Sequence, residues 1–425
     1  MLQTLRNAWM VPEIRKKMLF TVLILVLYRF GAVLPVPFLS ADLLSSMVSA
    51  YTDGSFFQYF NILSGNAFSK ATLFALSVSP YITAQIVIQL LTIAIPALEK
   101  MSKEDDGQKK IMQITRYCTV GLALITAFGY TKYIQSALIL DNVFIRIVVI
   151  ACYVAGSALV MWLAEKIDEF GIGNGISLIL FVNIVSSLPA NIGTMFATST
   201  SIWLKILFAV IALVLALAVV VFVVWMTNAE RRLPVQYAKK VVGRKMYGGQ
   251  STTLPLKLNM TGVMPIIFAN SIVAIPSTLA VIFPPKSGSF WDGFVNFFSY
   301  TSVVYAILFF VLIIAFNFFY VAISFNPVEV ANNLKKNGGF ILGIRPGKPT
   351  ADYITRILNK ITLIGALFLA FIAVFPLIIN MIAGNKLGGI AFGGSSLLII
   401  VGVAIETYRE LEAQMTMRHY KGFLE

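Results

Sequence analysis

The chain of 425 residues is 58% hydrophobic and only 12% charged, with a formal net charge of +14. Soluble domains carry about 25% charged residues, so this composition excludes an ordinary soluble multidomain enzyme. One histidine, His419, and two cysteines, Cys118 and Cys152, argue against a disulfide framework, a metal site and any catalytic scheme that needs histidine. We therefore expect no catalytic residue and no cofactor.

Ten apolar stretches follow one another along the chain. Most of them reach the roughly 20 helical residues that cross a bilayer core of about 30 Å. The predicted spans are 18–38, 71–97, 117–139, 144–164, 174–195, 202–227, 258–283, 299–324, 354–382 and 388–408. We expect no cleavable signal peptide, because residues 1–17 lack an apolar core followed by a small-residue cleavage site.

Basic residues concentrate in alternate connections between these spans. If the N-terminus is cytoplasmic, 26 of the 33 Lys and Arg residues lie in or at the edges of inside segments, against six outside. The remaining one, Arg29, lies within the first span. Since positive charge marks the cytoplasmic side, this bias predicts that both termini are cytoplasmic and that the number of spans is even.

The external connection 39–70 is long and aromatic. Its apolar residues cannot cross a bilayer, yet they would be awkward in water. A short re-entrant piece buried within the protein would resolve this conflict, and a helix lying flat on the membrane is the alternative. We favour re-entry.

Two basic cytoplasmic connections, 228–257 and 325–353, are also unusually long. The second has Gly338, Gly339, Gly343 and Gly347, which suit tight turns. Long ordered loops in a compact protein are usually functional. Loop length therefore favours docking of a partner, whereas charge alone would equally suit a loop that faces anionic lipid.

The spans themselves contain few ionisable groups. Coupled transporters usually carry such groups near the midplane, but here Arg29 is the clear candidate, and snorkelling or pairing with a carbonyl would also explain it. Small polar residues instead suggest hydrogen bonds between helices: Gln85, Gln89, Asn183, Asn259 and Asn270. Ten spans also divide into five plus five, which would give an inverted repeat with its working site at the interface.

Several long motifs resemble the bacterial SecY family, the channel subunit of the Sec translocon. The main one, 230–238, reads ERRLPVQYA and is followed by QST at 250–252 and LPLKLNM at 254–260. Further matches are FAL at 74–76 with PYI at 80–82, GIGNGIS at 171–177, GIRPG at 343–347 and GGSSLLI at 393–399. These motifs occur in the family's order from the N-terminal half to the tail.

The resemblance implies an all-α integral membrane protein with ten transmembrane helices in two inverted five-helix halves around a central pore, with a re-entrant plug helix. The corresponding divisions are a cytoplasmic N-terminus at 1–17, an N-terminal half at 18–200, a C-terminal half at 201–408 and a cytoplasmic tail at 409–425. The family's pore is narrowed by an aliphatic ring, which would here be Val78, Ile82, Leu180, Ile184, Ile267 and Ile399. An apolar constriction of this kind dewets and blocks ions.

The resemblance also implies three further sites. The plug would be Phe56, Phe57, Phe60, Ile62, Leu63, Ser64 and Gly65. A lateral gate between spans 2/3 and 7/8 would contain the polar residues Gln89 and Asn259. Docking of the SecA motor ATPase or the ribosome would use Arg231, Arg232, Lys239, Lys240, Arg244, Lys245 and Arg345. Basic side chains suit ribosomal RNA, which is a dense phosphate surface.

From the resemblance we expect a passive protein-conducting channel in the bacterial cytoplasmic membrane. It would pass secretory polypeptides outward and release transmembrane segments sideways into lipid. Its expected partners are the SecE and SecG subunits, SecA, the ribosome, signal peptides with their nascent chains, and membrane lipid. Two alternatives stay open from the residues alone, namely a secondary transporter for a small solute and a membrane scaffold without a pore.

Overall fold

Helices dominate the computed structural model, which describes residues 2–421 except 41–42, 45–60, 62–63, 105, 140–141, 199–201, 238–239, 243–244, 248–250, 283–289, 299–301 and 384–393. The helices are α1 (Leu2–Met10), α2 (Pro12–Gly31), α3 (Ser79–Ala94), α4 (Pro96–Lys103), α5 (Gly107–Tyr133), α6 (Val143–Phe170), α7 (Gly175–Thr198), α8 (Ile202–Asn228), α9 (Met264–Ile282), α10 (Phe290–Phe297), α11 (Val303–Ser324), α12 (Pro327–Lys336), α13 (Lys348–Ala383) and α14 (Gly394–Lys421). The strands are β1 (Glu230–Tyr237), β2 (Lys240–Val242), β3 (Lys245–Tyr247), β4 (Ser251–Lys257) and β5 (Gly339–Ile341).

Each predicted span coincides mainly with one helix, in chain order α2, α3, α5, α6, α7, α8, α9, α11, α13 and α14, and the second span also reaches the start of α4. By length and composition, four helical stretches of the described residues could cross a membrane: Gly107–Tyr133, Val143–Phe170, Val303–Lys336 and Lys348–Ile378. A fifth would be Ser79–Ala94 with Pro96–Ser102, a pair bent by 105°. The helical, multi-pass membrane class is therefore confirmed, whereas the count of ten spans stays a prediction.

The predicted bounds of the first two spans are wrong at their external ends. Helix α2 ends at Gly31 rather than near 38, and α3 begins at Ser79 rather than at 71. Residues between them form long-range backbone hydrogen bonds instead of those of a helix. Val36 N donates to Ala71 O at 3.0 Å, and Leu73 N donates to Leu34 O at 2.9 Å. Prolines 35 and 37 and the positive φ angles of Ala71 and Ser77 are incompatible with continuous helix.

The two long basic loops form one small sheet with strand order β4-β1-β5. Strands β1 and β4 are an antiparallel pair within the first loop, with Leu233 opposite Leu254. Strand β5 belongs to the second loop and adds to β1 through Val235 opposite Ile341. Buried Leu233, Val235, Leu256, Ile341 and Ile354 form their common core. The loops that were predicted separately are thus one structural unit, here named the basic platform.

The helices form two groups that meet along two seams. Within the N-terminal group, α5 packs on α3 and α6, and α6 packs on α7. Within the C-terminal group, α11 packs on α9 and α13, and α14 packs on α8. One seam joins α9 to α3 and α5, and the other joins α14 to α7 and α2. The largest buried apolar cluster draws residues from both groups, so it lies where the seams converge.

Candidate functional site

The six predicted ring residues all lie in this largest buried cluster. Each is 5% exposed or less. Val78 precedes the first residue of α3 and Ile82 follows one turn later. Leu180 and Ile184 are four residues apart on α7, a spacing that puts two side chains on one helix face. Ile267 on α9 and Ile399 on α14 contribute from the other helix group.

Their chemistry suits a closed constriction. Branched aliphatic side chains offer water neither a donor nor an acceptor, so a narrow apolar passage loses its water and blocks ions. The cluster also contains other buried apolar residues, and composition and hydropathy alone do not distinguish them from the six.

One predicted gate residue is hydrogen-bonded across the seam between the groups. The hydroxyl of Tyr320 on α11 donates to Gln89 Oε1 on α3 at 2.9 Å. Tyr320 was not predicted from the sequence, since it lies in an apolar aromatic run, NFFYVAIS at 317–324, that reads as ordinary span. A tyrosine late in an apolar run was the available signal, because a buried tyrosine hydroxyl usually has a partner.

The other predicted gate residue, Asn259, lies just before α9 and is 7% exposed. Thr261 Oγ1 lies 3.4 Å from Asn259 Oδ1 and donates to Asn317 Oδ1 at 2.6 Å. The Asn317 amide in turn donates to the backbone oxygen of Thr362 at 3.1 Å. In the described structure Asn259 and Gln89 therefore belong to separate hydrogen-bonded groups, with Asn259 in a buried network that joins the turn before α9 to α11 and α13.

The predicted plug lies mostly outside the described residues. This applies to Phe56, Phe57, Phe60, Ile62 and Leu63. Its last two residues are described: Ser64 is fully buried, and its Oγ accepts from Phe68 N at 3.1 Å. Gly65 has a φ of +65° and would bring a Cβ within 2.8 Å of Ser186 Oγ on α7. Only glycine tolerates that conformation at such close approach.

Arg29 lies in the last turn of α2, where the negative end of the helix dipole stabilises a cation. Its Nη1 atom is buried and has no hydrogen-bond partner within the described part of the chain. The same atom would be 2.9 Å from a Cβ added to Gly65. The guanidinium therefore lies beside the end of the predicted plug.

The predicted docking residues are distributed over the basic platform. Arg231 and Arg345 are exposed, and exposed Arg232 forms an ion pair with Glu230 at 2.7 Å. Lys240 and Lys245 lie in the short hairpin of β2 and β3, whereas Lys239 and Arg244 lie outside the described residues. Burial and the nearby Arg409 lower the pKa of Lys257 at the end of β4.

The Arg345 turn is built from residues with special backbone conformations. Gly343 and Gly347 have φ angles of +80° and +102°. The backbone oxygen of Arg345 accepts from Thr350 Oγ1 at 2.8 Å, which ties the turn to the start of α13. Its guanidinium is thus presented to solvent by a turn with fixed geometry.

Comparison with known proteins gives a consistent family. A family model described as SecY matches residues 72–408. The SecY subunit of the protein translocase of Streptomyces galbus is 42% identical over 440 residues and covers all of both chains. The SecY subunit of Mycobacterium leprae is 42% identical over 448 residues, also covering both chains completely.

Solved structures agree at the level of the fold. A structure described as a protein-conducting channel superposes with a TM-score of 0.64 at 18% identity, covering 94% of this chain and 92% of that chain. Canine Sec61 in a ribosome–channel complex gives 0.60 at 16% identity, covering 94% and 92%. The relatives at about 40% identity identify a translocase channel rather than an enzyme, so the solute-transporter and scaffold alternatives are set aside. The chain belongs to the SecY family.

Proposed function

We propose that this channel conducts unfolded secretory polypeptides through the ring of Val78, Ile82, Leu180, Ile184, Ile267 and Ile399. The observation that supports this proposal is that all six side chains are buried in one large apolar cluster with members from both helix groups. Independent lipid-facing positions would be exposed, whereas each of the six is 5% exposed or less. The ring seals the resting channel because it is apolar, and it widens when the two helix groups separate.

The lateral gate lies along the seam that joins α9 and α11 to α3 and α5. The Tyr320–Gln89 hydrogen bond crosses this seam and supports the assignment. Hydrogen bonds between membrane helices contribute only about 0.6 kcal/mol on average. A seam held by weak bonds of this kind and by apolar contacts can open to release a transmembrane segment into lipid.

The segment around 56–65 acts as the plug on the external side of the ring. The burial of Ser64 and the close packing of Gly65 against α7 support re-entry over a helix lying flat on the membrane. Non-spanning backbone at membrane depth is tolerated where protein surrounds it. The turns and hydrogen bonds of 64–77 supply that environment.

The basic platform is the cytoplasmic docking surface for the ribosome and for SecA, with Arg345 as its principal contact. Solved relatives are described as Sec61 in a canine ribosome–channel complex and as the yeast Ssh1 complex bound to the 80S ribosome. The union of both loops in one sheet supports a single docking face. SecE and SecG complete the translocon, and signal peptides, nascent chains and lipid are its transient partners.

The protein resides in the bacterial cytoplasmic membrane with both termini inside. The charge bias of the connections supports this orientation. The two functional halves are 18–200 and 201–408, and the short segments 1–17 and 409–425 lie in the cytoplasm.

Crosslinking of a stalled secretory chain tests the central path. Single cysteines replace Ile82, Ile184, Ile267 or Ile399 in a chain carrying Cys118→Ala and Cys152→Ala. Adducts with the stalled polypeptide are expected at all four positions. A cysteine at Ile179, fully buried on α7 but outside the ring, is the matched control and should give none. Adducts confined to lipid-facing positions would refute the central path.

A further inference from the structure

We infer that three buried polar residues, Tyr28, Ser77 and Asn183, position the N-terminal half of the ring; they are named the polar triad. This inference rests on the proposed function of the ring. The triad joins α2, the turn before α3, and α7, which are three separate parts of the N-terminal group. Its members act through their neighbours and need no contact with the translocating chain.

The hydrogen bonds of the triad converge on the Asn183 amide. Its Nδ2 donates to Tyr28 Oη at 2.7 Å and lies 3.1 Å from Ser77 Oγ. The two hydroxyl oxygens are 3.4 Å apart. Tyr28 and Asn183 are fully buried and Ser77 is 2% exposed, so water does not compete for these bonds. Buried polar groups in such surroundings are costly to leave unpaired, which makes the arrangement specific.

Two triad residues immediately precede ring residues in the chain. Ser77 precedes Val78, and Asn183 precedes Ile184. The Asn183–Ser77 bond therefore joins the two backbones that carry Val78 and Ile82 on one side and Leu180 and Ile184 on the other. A change in this bond must change the spacing of those four side chains.

The backbone of Ser77 shows that this position is held by its surroundings. Its φ angle is +51°, which residues other than glycine rarely adopt. Such conformations persist only where neighbouring interactions determine them, and they concentrate at functional positions. The ring of Tyr28 is also fixed, because it stacks on Phe74 with centroids 5.4 Å apart and planes inclined by 9°.

Three variants remove the triad's hydrogen bonds in different ways: Asn183→Leu, Tyr28→Phe and Ser77→Gly. Ser77→Gly is the mildest, because glycine adopts a positive φ freely and the backbone can keep its course. Tyr130→Phe is the matched control. It removes an equally buried hydroxyl that donates to the backbone oxygen of Phe68 at 2.6 Å, away from the ring. Ile82→Asn tests the ring itself.

The whole channel complex is reconstituted in vesicles, and the resting ion conductance is measured for each variant. The reaction rate of a cysteine at position 184 with a water-soluble thiol reagent is measured in the background without Cys118 and Cys152. Each triad variant should raise both quantities roughly two- to tenfold, the factor that corresponds to losing one buried hydrogen bond. Tyr130→Phe, whose hydrogen bond lies outside the ring, should lower thermal stability and leave the thiol reaction rate at position 184 unchanged.

Two results overturn the inference, and they are distinguishable. If Ile82→Asn leaks while all three triad variants keep the resting conductance and merely lose thermal stability, the triad is static packing. If Ile82→Asn also fails to leak, the proposed ring is wrong and the triad's positioning role falls with it. If the Asn183→Leu channel fails to assemble, the Ser77→Gly and Tyr28→Phe variants test the inference in the same way.

Discussion

Single side chains have two different proposed roles at the centre of this channel, which are sealing the passage and positioning the helices. In the proposed channel, aliphatic residues close the passage because they give water no hydrogen-bond partner, and buried polar residues beside them position the helices. The ring residue Ile267 and its neighbour Ile266 differ little in burial, at 5% and fully buried. Their side chains are identical, so the proposed role of Ile267 in sealing depends on its position alone.

Ile267→Asn should wet the ring, raise the resting conductance and allow export of precursors with defective signal sequences. An amide in an apolar constriction binds water where isoleucine does not, and it weakens the closed state by about 1–3 kcal/mol. Conductance in planar bilayers and export of a signal-sequence mutant measure the effect. Ile266→Asn is the control, and an equal effect of the two changes would contradict the ring assignment.

The Tyr320–Gln89 pair should contribute to holding the gate closed. Tyr320→Phe or Gln89→Leu should each shift the open-to-closed ratio about threefold, since the bond is worth about 0.6 kcal/mol. The readout is the rate at which a stalled signal segment crosslinks to lipid.

The double variant Tyr320→Phe with Gln89→Leu is the internal control. If the two residues act through one bond, the double variant should shift the ratio hardly more than either single change. Fully additive effects would mean that the pair does not act as a unit across the seam.

At the scale of elements, the basic platform depends on the alternation of buried and exposed residues along β1. Leu233 and Val235 face the small core while Arg232 and Pro234 are exposed, which is the period-two pattern of a half-buried strand. Pro234 lies where β1 has a partner on one side only, since β5 pairs from Val235 onward. Proline is tolerated there because it has no N–H to contribute to a ladder.

Arg345→Glu should cripple translocation while the channel still inserts into the membrane. The change reverses charge on a rigid exposed turn and leaves the platform core intact. Export of a secretory protein and binding of SecA and of ribosomes are measured. Arg356→Glu is the matched control, since it makes the same swap at an exposed arginine on α13. Normal export by the Arg345→Glu channel would contradict the docking role of Arg345.

At the scale of the whole molecule, the proposed seal depends on a connection that is not continuous helix. The described residues between α2 and α3 pack into the N-terminal group through turns, and buried Ser64, Thr72 and Ser77 lie among them. Tyr130 donates to the backbone of this stretch, and α7 packs against Gly65. In the proposed channel this stretch is therefore a second barrier beside the ring, and weakening either one raises the leak.

Deletion of residues 57–65 should make the resting channel leak ions, because it removes that second barrier. Conductance of the reconstituted complex without a translocating chain measures the leak. Deletion of α10, which lies between the predicted seventh and eighth spans, is the control and should leave the seal intact. A tight bilayer after deletion of 57–65 would instead favour a helix that lies flat on the membrane.

Prediction from the sequence succeeded where a property is local. Apolar length located the helices, whereas the ring assignment, whose six residues are all buried in the largest cluster, stays a prediction. Prediction failed at the external ends of the first two spans, where hydropathy continues but prolines and positive φ angles end the helices. Apolar composition measures burial and cannot distinguish a helix from a buried turn.

The sequence by itself determined the membrane class, the predicted sidedness and the family, because hydropathy, charge bias and motif order are properties of the chain. The tertiary structure decided which side chains meet. Tyr320 is hydrogen-bonded to Gln89, more than two hundred residues away, and Asn183 is hydrogen-bonded to Tyr28 and Ser77. Hydrogen bonds act over about 3 Å, so their partners are defined by the packing of helices and not by any spacing along the chain.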